Sequence, residues 1–503
     1  MTFTVDFEPI GRRIEVMENQ TLLDAARCVV FPETGGLAAP CGGKGICGRC
    51  VVRIVEGAVL PLTLAEKKVL TDGEIRSGMR LACQVGILGP VRVEIPPQSL
   101  TGRQDLQTEG AEVNMEIDPV VRRYTISVEP STIQNPLSLW QQAVLALETG
   151  HGIPRPGVDF ALLQTETCLV LEVQTLSVSV RGSEVIAIHK GTPPPRPLGF
   201  AVDLGTTKIA GFLVDLESGE TLAAEAVMNP QIPYGEDLMS RLVYSEETSA
   251  NARRLAAIVR ESIAGLLKGL LDRTGNDAAQ VEEAVIVGNT AMHHLFLELP
   301  VRHLGRSPYI PVIAAPLEVK ARNLGFSMAP GAVVYCAPSI AGFVGGDHVA
   351  MILGSRIQNA TAPTLGIDIG TNTEIVLATS RHMISCSCAS GPAFEGAHIR
   401  NGMRAVDGAI SEVGWDADQG QMTWETIGGA KPLGLCGSGV LDAVAALLNA
   451  GIINKIGVFD KLHPAVRPAE KGKGYEYVIV PQAKSGAGRD ITITQEDVVA
   501  IQL

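Results

Sequence analysis

One motif occurs twice in this chain, and it limits the fold more than any other feature. FAVDLGTTKIAGFLVDLESGE begins at Phe200 and LGIDIGTNTEIVLAT at Leu365. Asp203-Leu-Gly-Thr-Thr aligns with Asp368-Ile-Gly-Thr-Asn, each between apolar runs, so each copy predicts a strand, a tight glycine turn and a second strand. A glycine in such a turn leaves room for phosphate, while Thr hydroxyls and turn N–H groups supply donors. An Asp at the strand end can hold a magnesium ion through its waters. A single DxGT says little, because many hairpins carry Asp and Gly. Two copies separated by helical sequence predict two pseudo-symmetric halves that clamp a nucleotide's phosphates between them.

The repeat resembles the phosphate-1 and phosphate-2 hairpins of the superfamily of actin, sugar kinases and heat-shock chaperones. EEAVIVGNTAMHHLF, Glu282 to Phe296, resembles the superfamily's connecting motif and would bring Asn289 and Thr290 near the phosphates, Asn289 as a helix cap or as a ligand contact. APSIAGFVGGDHVA puts Asp347 at a helix entrance, as a cap or in a magnesium role. LGLCGSGVLDAVAALLNAG opens an amphipathic helix with Gly437-Ser438-Gly439, a natural anion or ribose site. Taken together, the resemblance implies nucleotide contacts from Gly205, Thr206, Thr207, Asn289, Thr290, Gly370, Thr371, Asn372, Gly437, Ser438 and Gly439. It implies catalytic roles for Asp203, Asp347, Asp368 and Glu374. His293 and His294 read as packed or helix-surface residues rather than metal ligands.

A second constraint lies near the N-terminus. CGGKGICGRC places Cys41, Cys47 and Cys50 in a C-x5-C-x2-C pattern, with Cys83 following in RLACQVG. Thiolates converging on one small body, with glycines free to aim N–H groups at its sulfides, are what an iron–sulfur cluster requires. Zinc needs two compact ligand pairs, which the lone Cys83 fits poorly. The pattern predicts a [2Fe-2S] cluster on Cys41, Cys47, Cys50 and Cys83. The flanks resemble the β-grasp ferredoxin fold: a hairpin over Thr2–Phe7 and Arg12–Met17, a helix capped by Thr21, a strand after Cys50, a helix over Thr63–Leu70, and a closing strand from Val91 to Pro96. Cys28 is expected inside the helix as a small buried residue. Cys386 and Cys388 are expected on opposite sides of a strand, and Cys436 where two backbones approach closely.

The expected fold class is multidomain, α+β and α/β. Residues 1–98 form the β-grasp ferredoxin domain, 99–123 a linker, and 124–190 a small α/β middle domain with a spacer or docking role. Residues 191–198 form a Pro-rich boundary. Residues 199–503 form an actin-like, ribonuclease H-like ATPase domain with halves 199–362 and 363–503. The chain stops inside an apparent amphipathic helix, ITQEDVVAIQL, where the resemblance leads one to expect further sequence, so the second half reads as incomplete. A content of 46% hydrophobic and 19% charged residues suits well-cored domains. With a net charge of −13 and no dense Lys/Arg run, nucleic acid is not an expected partner. The longest uncharged stretch, Asn323 to Gly346, is broken by glycines and prolines, so no membrane helix is expected and a cytoplasmic location is.

CGGKGICGRC…RLACQ, AVDLGTTKIAG, VGNTAMHHLF, SGPAFEGAHIRNGMRA, GIDIGTNTEI and LCGSGVLDAVA in one chain resemble the reductive activators of corrinoid-dependent enzymes. What the resemblance implies is ATP-dependent delivery of one electron from the [2Fe-2S] cluster to a cob(II)alamin partner, giving cob(I)alamin, with ATP and Mg2+ as further cofactors. The implied partners are a corrinoid protein or methyltransferase and an upstream reductase or ferredoxin, with a homodimer as an expected assembly. Lys208 departs from the small hydroxyl residue often found at that hairpin position. Lifting one electron through ~300 mV takes roughly 7 kcal/mol. Ordinary allosteric coupling supplies ~1–3 kcal/mol, so nucleotide hydrolysis or a change of cobalt ligation has to contribute. Two alternatives remain: donation to a non-corrinoid low-potential acceptor, and a redox-sensing kinase or chaperone-like nucleotide binder.

Overall fold

Why the N-terminal residues close into a sheet is visible in their alternation. In the computed structural model, β1 (Thr2–Glu8) buries Val5 and Phe7, and pairs antiparallel with β2 (Arg12–Met17) and parallel with β5 (Ile87–Glu94). Helix α1 (Leu22–Arg27) starts in a Thr21–Asp24 capping box; β3 (Val51–Val59), α2 (Leu64–Val69), α3 (Asp72–Arg76) and β4 (Met79–Leu81) follow. The sheet order β2-β1-β5-β3-β4 is the expected β-grasp arrangement. The structure describes residues 2–8, 12–29, 36–37, 39, 41–96, 99, 116–165, 174–190, 193–235, 237–370, 372–389, 399–403, 405–469 and 474–502. Thr371 and the whole of SGPAFEGAH, residues 390–398, therefore lie outside the described residues.

The next unit pairs β6 (Val121–Val128), β7 (Gly157–Val158), β8 (Gln174–Arg181) and β9 (Glu184–Lys190) in the order β6-β8-β9-β7, with α4 (Leu139–His151) and α5 (Phe160–Leu163). Strand β6 begins inside the segment read as linker. Buried ion pairs tie this unit to the sheet that follows. Glu282, fully buried, takes hydrogen bonds from Ser179 at 2.8 Å and from Arg123, and lies 2.8 Å from His189 Nε2; Arg181 pairs with Glu283 at 2.7 Å.

The first repeat opens a six-stranded sheet, β12-β11-β10-β13-β15-β14. Its strands are β10 (Leu198–Leu204), β11 (Lys208–Asp215), β12 (Thr221–Met228), β13 (Val281–Gly288), β14 (Leu317–Lys320) and β15 (Val333–Cys336). Strands β10, β13 and β15 run parallel; α7 (Ser249–Thr274) packs on β11 and β12, α8 (Thr290–Leu297) on β13, and α6 (Leu238–Glu247) on those two helices. Helix α7 buries Leu255, Val259, Ile263, Leu266 and Leu270, the three-and-four spacing of one helical face. Helix α9 (Gly346–Ser355) leads to the second half.

There the repeat forms a meander, β16 (Thr364–Ile369), β17 (Asn372–Ala378) and β18 (Met383–Ala389). One face packs Val376 and Ala378 on Ile352 and Ile357. The other leaves Leu365, Ile367, Ile369, Leu377 and Ile384 45–70% exposed. Two further three-stranded sheets follow: β19 (Ala409–Asp416), β20 (Gln421–Thr426) and β21 (Gly434–Leu435), then β22 (Val466–Pro468), β23 (Tyr475–Val480) and β24 (Ile491–Thr494). Helices α10 (Gly437–Asn449) and α11 (Gln495–Gln502) cover their shared core. Pseudo-symmetry thus holds for the hairpins but not for the sheets that carry them among the described residues. No helix among the described residues is long and apolar enough to cross a membrane.

Candidate functional site

The cysteine loop runs from Cys41 to Cys50 with Gly42, Gly43, Gly45 and Gly48 all at positive φ, between 64° and 99°. Those torsions fold the loop back so that sulfurs meet in pairs. Cys41 and Cys47 lie with sulfurs 3.3 Å apart, and Cys50 and Cys83 act on each other as a second pair. In each pair one thiol is driven toward thiolate while its neighbour retains the proton. Cys47 pulls Cys41 down to about 4, aided by N–H groups of Ile46, Cys47 and Gly43. Cys50 likewise lowers Cys83, helped by Gln84, whose amide is 3.6 Å from the Cys83 sulfur. Cys47 and Cys50 are raised by those same partners and by burial. Among the described residues no three His, Cys, Asp or Glu side chains are grouped to hold a single ion. Two thiol pairs suit a two-iron body, each iron taking two sulfurs, and the inward N–H groups suit its negative charge.

The acids of the two hairpins lie within electrostatic reach of one another. Asp203, near the end of β10, is raised by burial and by Asp368 from the other hairpin, while Lys208 works against that shift. Asp347 is pushed up to about 7 by burial, with Glu374, Asp203 and Asp368 adding to it. Glu374 is likewise raised by burial and by Asp368, although Ser387 donates to it at 2.9 Å. Four carboxylates from three segments therefore share one field without forming a closed single-ion cage. That suits magnesium held largely through water.

Each expected contact residue among the described residues has a definite place. Thr206 is buried, and the Asn289 amide donates to its hydroxyl at 3.0 Å. The Asn289 side-chain oxygen accepts from Met292 N at 2.9 Å, so one residue caps α8 and reaches the first hairpin. Thr290 donates its hydroxyl to the Ala341 carbonyl, anchoring the loop before α9. Gly345 is a close-approach glycine, since a Cβ there would fall 2.4 Å from the Gly288 carbonyl oxygen and the Asn289 Cα. Asp347 is not the cap of α9; that position is Gly345, and Asp347 sits in the first turn. Gly205 and Thr207 complete the first turn, and Gly370 and Asn372 flank the second, where Gly370 N donates to Asn372 O at 3.1 Å.

The third element is held by packing. Ser438 donates to Ser411 O at 2.7 Å, and a Cβ on Gly439 would fall 2.1 Å from Ile410 O, so that glycine lets α10 press on β19. Gly437 begins the helix, and Cys436 is buried with its sulfur 3.2 Å from Ile410 O, the close backbone approach expected for it. His294 is buried and accepts from Val312 N, and His293 is buried and lowered to about 4 by desolvation; both are packed residues.

Two expectations fail. Cys28 is exposed, because α1 ends at Arg27 and Cys28 is its C-cap. Cys386 and Cys388 do not face opposite sides: residues two apart on a strand share a face, and both thiols are exposed. The alternate residues, Ser385 and Ser387, point inward to His348 and Glu374.

Two residues at the first hairpin escaped the sequence reading. Asn229 donates to Gly205 O at 2.8 Å, and fully buried Arg241 donates to Thr206 O at 2.6 Å and to Gly235 O at 2.7 Å. The available signal was a cation on the face of α6 that carries Leu238 and Leu242, the face that is buried.

Comparison with known proteins agrees with this geometry. Residues 5–87 match the 2Fe-2S iron-sulfur cluster binding domain, 198–360 the RACo middle region, and 362–503 the C-terminal domain of RACo, the ASKHA domain. The corrinoid activation enzyme RamQ of Eubacterium limosum is 30% identical over 507 residues, covering 99% of this chain and 80% of the relative. The [Co(II) methylated amine-specific corrinoid protein] reductase of Methanosarcina barkeri is 27% identical over 60% of this chain and 56% of its own length. A solved reductive activator for corrinoid, iron-sulfur protein aligns with TM-score 0.64 at 31% identity, over 99% of this chain and 81% of that one. With paired thiols in its 2Fe-2S domain, and acids of its RACo middle region and its ASKHA domain sharing one field, this chain belongs to the RACo family of corrinoid reductive activators.

Proposed function

We propose that this protein restores a corrinoid partner to its cob(I) state, passing it one electron at the expense of ATP. The observation that carries the reading is the union, in one chain, of two thiol pairs 41/47 and 50/83 with a carboxylate cleft between two DxGT hairpins. When bound on Cys41, Cys47, Cys50 and Cys83, the [2Fe-2S] cluster supplies a one-electron carrier whose oxidation is balanced by reduction of Co(II) to Co(I).

The chain's own residues do the remainder. The Gly205–Thr207 and Gly370–Asn372 turns, with Thr371 in the second, cradle the phosphates of ATP with N–H and hydroxyl donors. Asn289 orients the Thr206 hydroxyl, and Thr290 holds the loop that delivers Asp347. Asp203 and Asp368 hold Mg2+ through water. Asp347, with a proton affinity near neutrality, is suited to take the proton of the attacking water. Glu374, fixed by Ser387, supports the same acidic field. Gly437, Ser438 and Gly439 at the α10 N-terminus lie on the second half as the nucleoside-side element.

The partner is a corrinoid protein or corrinoid-dependent methyltransferase, with a reductase or ferredoxin as electron donor. The test is optical. Reduced protein is mixed anaerobically with a cob(II) corrinoid protein, with and without MgATP, and the cob(I) absorption band is followed. The band should form with ATP and fail to form without it. Equal formation without ATP would refute the coupling, and no band with any of several corrinoid proteins would favour a nucleotide-binding redox sensor instead.

A further inference from the structure

The cluster domain rests on both halves of the ATPase at once. On the first half, Arg27 donates from Nε to Pro233 O at 3.0 Å, and its guanidinium carbon lies 4.8 Å from the Tyr234 ring centre. That side chain is only 12% exposed, so the contact is desolvated. Gly42 of the cysteine loop lies against the same turn, its missing Cβ 3.6 Å from Tyr234 O. On the second half, Arg49, between Cys47 and Cys50, donates to Ile399 O at 3.2 Å and to Gly402 O at 3.4 Å.

Each anchor is joined to an element of the nucleotide cleft. The 232–235 turn is tied to the first hairpin by Arg241, which bonds Gly235 O and Thr206 O with one guanidinium. Asn229 adds a parallel link, accepting from Gln231 N at 2.9 Å and donating to Gly205 O at 2.8 Å. On the other side the 399–403 segment brackets Leu435, which donates to Asn401 O at 2.9 Å and accepts from Met403 N at 2.8 Å. Leu435 lies two residues before the start of α10. The domain therefore bridges the cleft, with its feet on the phosphate side of one half and the α10 side of the other.

We propose that the cluster domain is a strap across the nucleotide cleft, pinned by Arg27 and Arg49, and that nucleotide binding releases it. This rests on the reading that the two hairpins hold ATP. Both guanidinium groups grip backbone carbonyls, whose positions follow the rigid halves, so only a narrow range of angles between the halves satisfies both. A ligand that draws the halves together must break one set, and by linkage the strap must oppose that ligand by the same factor. The docked domain covers the Gly42 and Arg49 side of its loop, while Ile46 at the tip remains 71% exposed. Reduction from solvent at the tip is thus compatible with docking, whereas approach to a large partner along the covered side requires release.

The test uses the full chain, cluster-loaded and anaerobic, with a non-hydrolysable ATP analogue and Mg2+. R27A should bind the analogue more tightly than the unaltered protein, on the order of 5- to 20-fold. In the unaltered protein the analogue should protect amides 203–207 and speed hydrogen exchange at 231–235 and 399–403. R27A should show that faster exchange without any nucleotide. Equal or weaker binding by R27A overturns the strap, as does protection at 203–207 with no change at either anchor. The latter result leaves the nucleotide site standing. No protection at 203–207 removes the nucleotide site and the strap with it. Because the exchange data on the unaltered protein suffice alone, a poorly folded variant does not rescue the proposal.

Discussion

Asn289 donates its side-chain amide to the Thr206 hydroxyl across 3.0 Å while its carbonyl oxygen caps α8. The two roles can be separated by substitution. Asn289→Ala should destabilise the fold by about 0.5–2 kcal/mol through the lost cap, and also weaken nucleotide binding. Asn289→Asp caps as well as Asn but cannot donate, and it adds a negative charge beside the phosphates. Its urea midpoint should stay near that of the unaltered protein while ATP affinity falls by about 3- to 10-fold or more. Calorimetric titration and equilibrium unfolding on the same preparations distinguish the two.

Cys83 reaches the cluster loop from a separate segment and shares its pair with Cys50. Cys83→Ser should remove most of the visible absorption and bound iron after anaerobic reconstitution. Cys28→Ser and Cys386→Ser should leave both unchanged, since those thiols are exposed and stand apart from the two pairs. Iron content and the visible spectrum decide the matter.

The field in the cleft has a signed consequence for stability. The folded-state value of Asp347, about 7, lies above its ordinary 3.8, so the native chain binds this proton more tightly than the unfolded chain does. The contribution is therefore fully present below pH 3.8 and is lost as pH rises through 7. In protein free of Mg2+ and nucleotide, Asp347→Asn should be the more stable form at pH 8, by roughly 1–2 kcal/mol after allowance for partial solvation. The advantage should shrink toward pH 4. The same variant should have lost ATP hydrolysis, measured by phosphate release.

Glu282 carries the opposite sign. Burial would raise it, but His189, Arg123 and Ser179 more than offset that and hold it below its ordinary 4.5. Its contribution is present above pH 4.5 and is lost as the medium becomes more acidic. Glu282→Ala should cost about 3–5 kcal/mol at pH 7, because it leaves the Arg123 charge buried without its carboxylate. Thermal unfolding followed across pH 3–7 should show the variant's deficit narrowing at the acid end.

Much of this was legible because the relevant signals are local. Thr21 and Thr63 cap helices through contacts three residues away, and both helices start where their sequences indicate. The DxGT hairpins pair nearest neighbours in the chain, Asp203 with Ala210 and Asp368 with Glu374. Cys28 misled because helix length is set by tertiary contacts, and α1 stops at Arg27, three residues before the end of the run LLDAARCVV. Arg241 was invisible for a related reason. A single buried cation acquires meaning only from the carbonyls around it, and those come from residues 206 and 235.

By itself the sequence determined the chemistry available: three thiols on a glycine-rich loop with a fourth at Cys83, two phosphate-type hairpins and the acids beside them. Periodicity and motif spacing act over a few residues, so they survive without knowledge of the packing. Only the tertiary structure decided that the thiols meet as 41/47 and 50/83, that Asp347 is raised by acids from both hairpins, and that Arg27 and Arg49 bind the cluster domain to the two halves. Each of these depends on groups distant in sequence being brought within a few ångströms, where burial strengthens their electrostatics, and no local pattern encodes that proximity.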